Sequence, residues 1–307
     1  MKDILIALWP VFILLLLGYT AKHSQFLHKA FWEAAEKATY FVLFPVLLVY
    51  KLSQADFAGV NFADIAGPML ALTIVFTVLL MGLQRLLKLP WPVFSSLFQG
   101  TVRFNTYVGF AVIASVQGDT GVAMLAVLLA VMIPAVNVLS VGVFALGGEH
   151  VSWRNVFRSL LANPLINACA LGIFLNLSGF GLPTLLVSVA DLLASMALPL
   201  GVLCVGAGLQ LRKINIAPAV LVLSCLLKLV LMPVAMMGVV WWFSEERAVA
   251  ITLIIFSALP TAPSAYILSR QLGGDSQAMA AIISLQTVMS CLSLPVILML
   301  CTEILLK

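Results

Sequence analysis

Long apolar segments, separated by short polar ones, follow one another along the whole chain. Ten of them approach the roughly 20 residues that a helix needs to cross a bilayer. They lack the period-two alternation of a membrane β-barrel, so the pattern predicts helices. We number these segments as spans 1 to 10 and place them near residues 3–21, 31–52, 63–87, 93–116, 120–146, 156–178, 184–209, 217–243, 247–269 and 276–303. The predicted fold is an all-α integral membrane protein with ten transmembrane helices and no soluble domain.

Composition agrees with this pattern. The chain is 63% hydrophobic and 9% charged, whereas a soluble domain carries about 25% charged residues. All five cysteines fall in apolar spans without metal-ligand spacing, which predicts buried thiols and no metal site. The net charge of +4 comes from short loops and does not indicate nucleic-acid binding.

Basic residues predict how the helices are oriented, because cytoplasmic loops carry an excess of Lys and Arg. The loops after the odd-numbered spans contain Lys22, Lys29, Arg85, Lys88, Arg154, Arg158, Arg212, Lys213 and Arg270. The termini and the other loops contain only Lys2, Lys51, Arg247 and Lys307. The odd-numbered loops are therefore expected in the cytoplasm, and both termini on the other side of the membrane.

Span 9 contains a break. Its sequence over 256–275 is FSALPTAPSAYILSRQLGGD, with Pro260 and Pro263 inside a segment of membrane-spanning length. Each proline removes a backbone donor and clashes with the preceding turn. Non-helical backbone survives in a membrane only when it is buried in protein or lines a cavity. A broken span is therefore a candidate binding site.

The two halves of the chain carry a weak internal repeat. If Asp119 aligns with Asp275, Asn105 falls on Thr261, which gives an offset of about 155 residues. Five spans per repeat is an odd number, so the second copy must insert upside down, as in many secondary transporters. The predicted organisation is a first repeat over 1–146, a cytoplasmic connector over 147–155 and a second, inverted repeat over 156–307.

Polar residues crowd the centre of span 4, opposite the span 9 break in this alignment. They are Gln99, Gly100, Thr101, Arg103, Asn105, Thr106 and Gly109. A charge in mid-membrane usually faces a cavity or a partner, although Arg103 could instead reach for the interface. Asn105 and Thr106 could merely bond neighbouring helices. Their place at a suspected break favours a role in substrate binding.

Lys228 in span 8 is the second intramembrane cation. It could anchor an anion, mimic a coupling cation or form a structural ion pair with Asp191 of span 7. Asn137 in span 5 and Thr261 and Ser264 in span 9 add hydrogen-bonding groups. No mid-membrane carboxylate pair accompanies them, so the polar centre is positive, and half-helix N-termini would add to that charge. An anionic substrate is expected.

No enzyme constellation is present. His23, His28 and His150 have no matched acidic or cysteine partners, and no phosphate-binding loop or nucleophile elbow occurs. The sequence therefore predicts neither an enzyme nor a cofactor.

Several stretches resemble the auxin efflux carrier family, specifically its bacterial malonate or organic-acid transporters. They are RFNTYVGFAVIASVQGDTGVAML, IPAVNVLSVGVF, NPLINACALGIF, LPLGVLCVGAGL, KLVLMPV and ALPTAPSAYILSRQLGGD. The resemblance implies two inverted five-helix repeats whose broken spans 4 and 9 cross, an elevator-type mechanism and a homodimer. By position, Asn105 matches the span 4 crossover, Pro260 and Pro263 the span 9 crossover, and Asn137 a substrate-facing residue.

Two departures from the family pattern matter. Phe104 stands where the family usually has proline before Asn-Thr, so the span 4 break must rest on Gly100, Gly109 and competition from the Asn105 and Thr106 side chains. A less sharply unwound span 4 is expected. The long cytoplasmic insertion of the plant carriers is replaced by the short connector 147–155.

The sequence thus favours a secondary transporter of small organic anions in the inner membrane, with malonate or auxin-like weak acids as examples. Two alternatives stay open: a sodium-coupled symporter of larger amphipathic anions, resembling the bile-acid carriers, and a membrane receptor that does not transport. The expected partners are the anion, the lipid bilayer and a second copy of the chain.

Overall fold

The protein is described by a computed structural model covering residues 2–55, 62–148, 152–210, 217–243 and 246–305. All regular elements within these ranges are helical. The α-helices are α1 Lys2–His23, α2 Lys29–Ala38, α3 Phe44–Ser53, α4 Phe62–Leu87, α5 Trp91–Val102, α6 Thr106–Leu146, α7 Trp153–Leu161, α8 Pro164–Leu177, α9 Thr184–Gly208, α10 Pro218–Leu226, α11 Met232–Phe243, α12 Arg247–Ser257, α13 Ser264–Gln271 and α14 Ser276–Leu305. Two π-helical turns, Thr39–Leu43 and Leu227–Leu231, join α2 to α3 and α10 to α11. Of the residues in the charge count, Arg212, Lys213 and Lys307 lie outside the described ranges, as does His150.

Six helical stretches of the described chain are long and apolar enough to cross a membrane. They are Ile6–His23, Ala63–Leu87, Trp91–Leu146, Thr184–Gly208, Pro218–Trp242 and Ser276–Cys301. The third contains 56 residues and covers both predicted spans 4 and 5. Within it, Gly118 has a φ of 61°, which kinks α6 between the two spans. Glycine takes this conformation without steric cost because it has no Cβ.

The predicted spans 2, 6 and 9 are absent from those six stretches. Span 2 changes to a π-helical turn at Thr39 and carries charged residues in α2. Span 6 is divided between α7 and α8, and span 9 between α12 and α13. The apolar pieces Pro164–Leu177 and Arg247–Ser257 are each shorter than a full crossing. Ten crossings therefore require that these interrupted segments also traverse the bilayer.

The outer surface of the helical bundle is apolar. Val78 on α4, Leu185 on α9 and Trp241 on α11 are exposed over 65%, 91% and 71% of their surfaces. Contiguous exposure of large apolar side chains is unfavourable in water and favourable in lipid. Together with the apolar helices, it identifies a multi-pass membrane protein.

Glycines bring helices from the two halves of the chain into backbone contact. A Cβ placed on Gly18 of α1 would clash with the Leu203 carbonyl oxygen of α9, and one on Gly206 of α9 would clash with that of Leu15 of α1. Between α8 and α3, a Cβ on Gly172 would lie 3.2 Å from the Leu48 carbonyl oxygen. Small residues permit such approaches in membrane proteins. Helices α1, α3, α8 and α9 consequently form one tightly packed group.

Candidate functional site: the crossing of two broken helices

Two helix breaks meet in the interior. The first lies between the end of α5 at Val102 and the start of α6 at Thr106, and the second covers residues 258–263 between α12 and α13. The Asn105 backbone N–H donates a 2.7 Å hydrogen bond to the Pro260 carbonyl oxygen. Spans 4 and 9, which the sequence predicts to be broken, are therefore both broken and touch at these residues.

Asn105 organises the first break. Arg103 and Asn105 have extended backbone, with φ and ψ of −80° and 158° and of −88° and 102°. The Asn105 Oδ1 atom accepts hydrogen bonds from the backbone N–H groups of Tyr107 at 3.1 Å and Val108 at 3.3 Å. This N-cap satisfies donors that the start of a helix leaves free. Arg103 and Asn105 are thus extended on either side of Phe104, without the proline that the family usually has at this position.

Gly100 and Gly109 serve packing rather than the break itself. Both lie inside helices, Gly100 in α5 and Gly109 in α6, so the break lies between them. A Cβ on Gly100 would lie 2.8 Å from the Ser224 Oγ atom, and one on Gly109 would lie 2.8 Å from the Leu259 Cδ1 atom. The glycines let α10 and the second break approach closely. The Asn105 cap, and not a glycine, fixes where α6 begins.

A buried hydrogen-bond cluster, formed by Thr261, Gln286, Gly100 and Ser224, closes one side of the crossing. The Thr261 backbone N–H donates to Gln286 Oε1 at 3.0 Å, and the Thr261 hydroxyl lies 2.7 Å from both Gln286 Oε1 and the Gly100 carbonyl oxygen. Gln286 Nε2 donates to the Gly100 carbonyl and to Ser224 Oγ, each at 2.8 Å. Thr261, predicted to bind substrate, is buried and bonded within this cluster.

The prolines delimit the second break at different points. Pro260 supplies the carbonyl that Asn105 contacts, and Pro263 is the residue before α13, with φ of −57°. Ser264, the first residue of α13, is exposed. The N-terminus of α13 therefore lies on the open side, where its partial positive charge is available to an anion.

Arg103 lies in the first break, next to the start of α13. The residue is 8% exposed, its Nη2 atom donates to Ser264 Oγ at 3.4 Å, and its Nη1 atom is buried without a hydrogen-bond partner. The Asn105 Nδ2 atom is also buried without a partner. Buried polar groups are nearly always hydrogen-bonded, so these donors are unusual. Arg103, Asn105 and Ser264 are thus brought together, with half-buried Thr106 following on α6.

Three residues that sequence reasoning missed surround this open side. Tyr40 of the first π-helical turn interacts electrostatically with Arg103 and lies beside Asn163, the N-cap of α8. Tyr107 packs its ring on Phe44, with ring centroids 4.9 Å apart. Asn163 lies within a stretch that carries the family resemblance, but no local signal places it or Tyr40 near span 4. Asn137 is half-buried in α6, and its side chain makes no hydrogen bond within the part of the chain that the structure describes.

Lys228 lies apart from the open side. It is fully buried within Leu227–Leu231, and its Nζ atom lies 3.5 Å from the Met232 Sδ atom. Asp191 is exposed on α9, and no ion pair joins it to Lys228 among the described residues. Helices α5, α10, α11 and α14 pack against the π-helical turn that carries Lys228. The first three contain no Asp or Glu, and α14 has only Glu303, near its end. Lys228 is therefore a buried cation without an acidic neighbour on these helices.

A comparison with known protein families gives a match in the second half of the chain. The family profile described as "Membrane transport protein" matches residues 150–298, which include the second break and the Gln286 cluster. No curated protein sequence matches the chain significantly. Over residues 150–298 the chain is therefore similar to the membrane transport protein family, in agreement with the resemblance to the auxin efflux carriers found in the motifs.

Proposed function

We propose that this protein is a secondary carrier that moves small organic anions across the inner membrane by alternating access. The main support is the buried Arg103 Nη1 atom, which has no partner and lies where two broken helices meet. A carboxylate would accept from this guanidinium and from the N-terminal ends of α6 and α13. The Arg103 Nη1 and Asn105 Nδ2 atoms are buried, so the proposed mechanism requires the site to open before an anion can reach them.

Mirrored hydrogen bonds support the proposal of ten spans in two inverted repeats. The Ser96 Oγ atom on α5 lies 3.2 Å from the Pro92 carbonyl oxygen and 2.9 Å from that of Asp275. The Thr252 Oγ1 atom on α12 lies 3.0 Å from the Ala248 carbonyl oxygen and 2.8 Å from Gln117 Oε1. Ser96 to Thr252 and Pro92 to Ala248 are both offsets of 156 residues. Each half-helix thus begins with the same hydroxyl bridge to the far end of the other broken span.

Helix packing repeats with the same offset. Gly18 meets Leu203 between α1 and α9, and Gly172 meets Leu48 between α8 and α3. Gly18 to Gly172 is an offset of 154 residues, and Leu48 to Leu203 is one of 155. Exchanging the two halves therefore turns one contact into the other, as expected for a two-fold axis through the crossing. We propose that the closely packed α1, α3, α8 and α9 form the static part of an elevator-type carrier.

We also propose the membrane orientation and the homodimer that the sequence predicts. The excess of basic residues after odd-numbered spans favours cytoplasmic placement of those loops and both termini outside. The family resemblance favours a homodimer, whose second copy would cover part of the apolar outer face.

Transport by purified protein in liposomes tests the proposed function. Arg103→Gln should reduce uptake of labelled organic anions about tenfold or more, because a charge-assisted hydrogen bond is lost. Arg270→Gln, the same change at an exposed arginine on α13, is the matched control and should transport like the parent. Equal transport by Arg103→Gln and the parent would reject the site. Binding without uptake by the parent would support the receptor alternative, and sodium-dependent uptake would support the symporter.

A further inference from the structure

Helix α7, in the middle of the chain, is amphipathic. Its apolar residues recur at i, i+3, i+4, i+7 and i+8, which are positions 153, 156, 157, 160 and 161. Arg154, Asn155 and Arg158 lie on the opposite face, and all three are exposed. Phe157 and Leu161 of the apolar face are also exposed, over 64% and 62% of their surfaces. The folded protein therefore leaves both faces of α7 uncovered at these residues.

Two asparagines fix the end of α7. Asn163 has extended backbone, with φ of −72° and ψ of 117°, so α7 does not continue into α8. The Asn167 Nδ2 atom donates a 3.0 Å hydrogen bond to the carbonyl oxygen of Leu161, the last residue of α7. Otherwise α7 packs mainly against α6 and α8. It is a separate helix held at a defined corner, with its outer surface free for other contacts.

The two arginines of α7 lack ion-pair partners. Arg154 and Arg158 are one helical turn apart, a spacing at which like charges repel. Neither forms an ion pair with a residue that the structure describes. The sequence has no Asp or Glu over residues 150–190, and the preceding Glu149 lies outside the described ranges. An anion bound between the two guanidinium groups would relieve this repulsion.

The membrane surface is the surrounding that suits both faces of α7. Phe157 and Leu161 would be exposed unfavourably in water, and the two arginines would be costly in the hydrocarbon core. An amphipathic helix at the interface places its apolar face among the acyl chains and its basic face among the headgroups. The basic-residue count favours the cytoplasmic side for this part of the chain, and the cytoplasmic leaflet carries anionic lipids.

We propose that α7 lies flat on the cytoplasmic surface of the membrane and binds the phosphate groups of anionic phospholipids through Arg154 and Arg158. Guanidinium groups match phosphate oxygens in a bidentate geometry. Phe157 and Leu161 insert between the acyl chains of the same leaflet. An acidic protein segment would satisfy the arginines but leave these two apolar side chains uncovered. The inference goes beyond the proposed transport function and does not depend on the substrate.

Lipid binding by the purified full chain tests the role of the arginines. Native mass spectrometry measures the dissociation constants of phosphatidylglycerol and phosphatidylcholine. Arg154→Gln combined with Arg158→Gln should weaken phosphatidylglycerol binding about tenfold or more, because two charges beside the phosphate are lost. Phosphatidylcholine binding should change much less.

The matched control is Arg85→Gln combined with Lys88→Gln. It removes two exposed positive charges at the end of α4, on the same predicted side of the membrane. The control should bind phosphatidylglycerol like the parent. Equal weakening by both double variants would show that the lipid responds to net charge alone and would overturn the site. Undiminished binding by the α7 variant would also overturn it and would leave the arginines to an acidic protein partner.

Cysteine labelling tests the position of α7 without changing the arginines. Asn155→Cys and Phe157→Cys place a thiol on the polar and on the apolar face. In lipid nanodiscs, a water-soluble maleimide should modify the Asn155→Cys thiol at least about tenfold faster, since the apolar face lies below the headgroups. The parent gives the background, because its five cysteines are buried or half-buried. Equal rates would place both faces in water and overturn the proposed position.

Discussion

The break between α5 and α6 covers residues 103–105, whereas the break between α12 and α13 covers residues 258–263. The shorter break has no proline and is held open by the Asn105 side chain, which caps α6. The longer break contains Pro260 and Pro263, and Gln286 of α14 fixes its backbone at Thr261. Backbone geometry that prolines enforce in one half is thus produced by a capping side chain in the other.

The two breaks therefore have different roles, one in holding the helices together and the other in presenting charge. The proline-containing break is tied into the buried Gln286 cluster, so its middle has few groups left for a ligand. The capped break presents Arg103, whose Nη1 atom has no partner, beside the exposed start of α13. The more conspicuous sequence motif therefore builds the crossing, and the less conspicuous one carries its charge.

The largest effect on stability is expected from Gln286→Leu. This change leaves the Thr261 N–H and the Gly100 carbonyl without their amide partner in a dry interior. We expect a loss of about 3–5 kcal/mol in unfolding free energy, because unsatisfied buried polar groups are costly. Unfolding of the purified protein in mixed micelles measures it. Thr287→Val, which removes only a bond to the Ile283 carbonyl of the same helix, is the control.

Asn105→Ala should destabilise the first break by about 1–2 kcal/mol, since it removes an N-cap. Asn163→Ala provides a comparison, because Asn163 caps α8 in the same way, with hydrogen bonds from the N–H groups of Leu165 and Ile166. Asn105 is fully buried and Asn163 is not, so Asn105→Ala should cost more in the same unfolding measurement. Equal costs would show that burial at the crossing adds nothing to the cap.

Arg103→Met should raise the unfolding free energy by about 1 kcal/mol, although it removes the proposed anion-binding group. Replacing a poorly satisfied buried charge by an apolar side chain of similar volume is often stabilising. Melting temperature and anion uptake, measured on the same preparation, should change in opposite directions. A destabilised variant would show that Arg103 supports the fold instead of being reserved for a ligand.

The smallest effect expected is the difference between Phe104→Pro and Phe104→Ala. Phe104 is 4% exposed and its ring lies 4.4 Å from that of Phe256, so both variants should lose about 3 kcal/mol of packing. The Phe104 N–H makes no backbone hydrogen bond, and Arg103 already has the extended conformation that proline requires before it. The two variants should therefore differ by about 1 kcal/mol or less in unfolding free energy. A proline variant much less stable than the alanine variant would show that the two breaks are not interchangeable.

Local chemistry explains what could be predicted from the sequence. Prolines in an apolar span disrupt the helix ladder wherever they occur, so the span 9 break was predictable, and Asn105 was a good candidate because asparagine competes for backbone donors. The apolar segments likewise predicted a helical membrane protein. Gly100 and Gly109 were assigned to the break because sequence alone does not distinguish a flexible glycine from one that admits a neighbouring helix.

Long-range contacts explain what could not be predicted. Gln286 reaches Gly100 across 186 residues and Ser224 across 62, and nothing near Gln286 in the sequence specifies either partner. Tyr40 comes near Arg103 because it lies in the π-helical turn between α2 and α3, which packs against α8 and α9 of the other half. The sequence also left open whether Lys228 pairs with Asp191, since both an ion pair and two separate side chains fit their spacing.

The contact of α1 with α9 has a consequence for biosynthesis. Gly18 emerges from the ribosome 185 residues before Leu203, whose carbonyl it touches in the folded protein. Until then, the face of α1 that contains Gly18 must be covered by lipid or by another membrane component. Leu48 likewise emerges 124 residues before Gly172, which it contacts in the folded protein. The two halves of the chain are therefore not separate folding units, and neither completes its packing until α9 has entered the membrane.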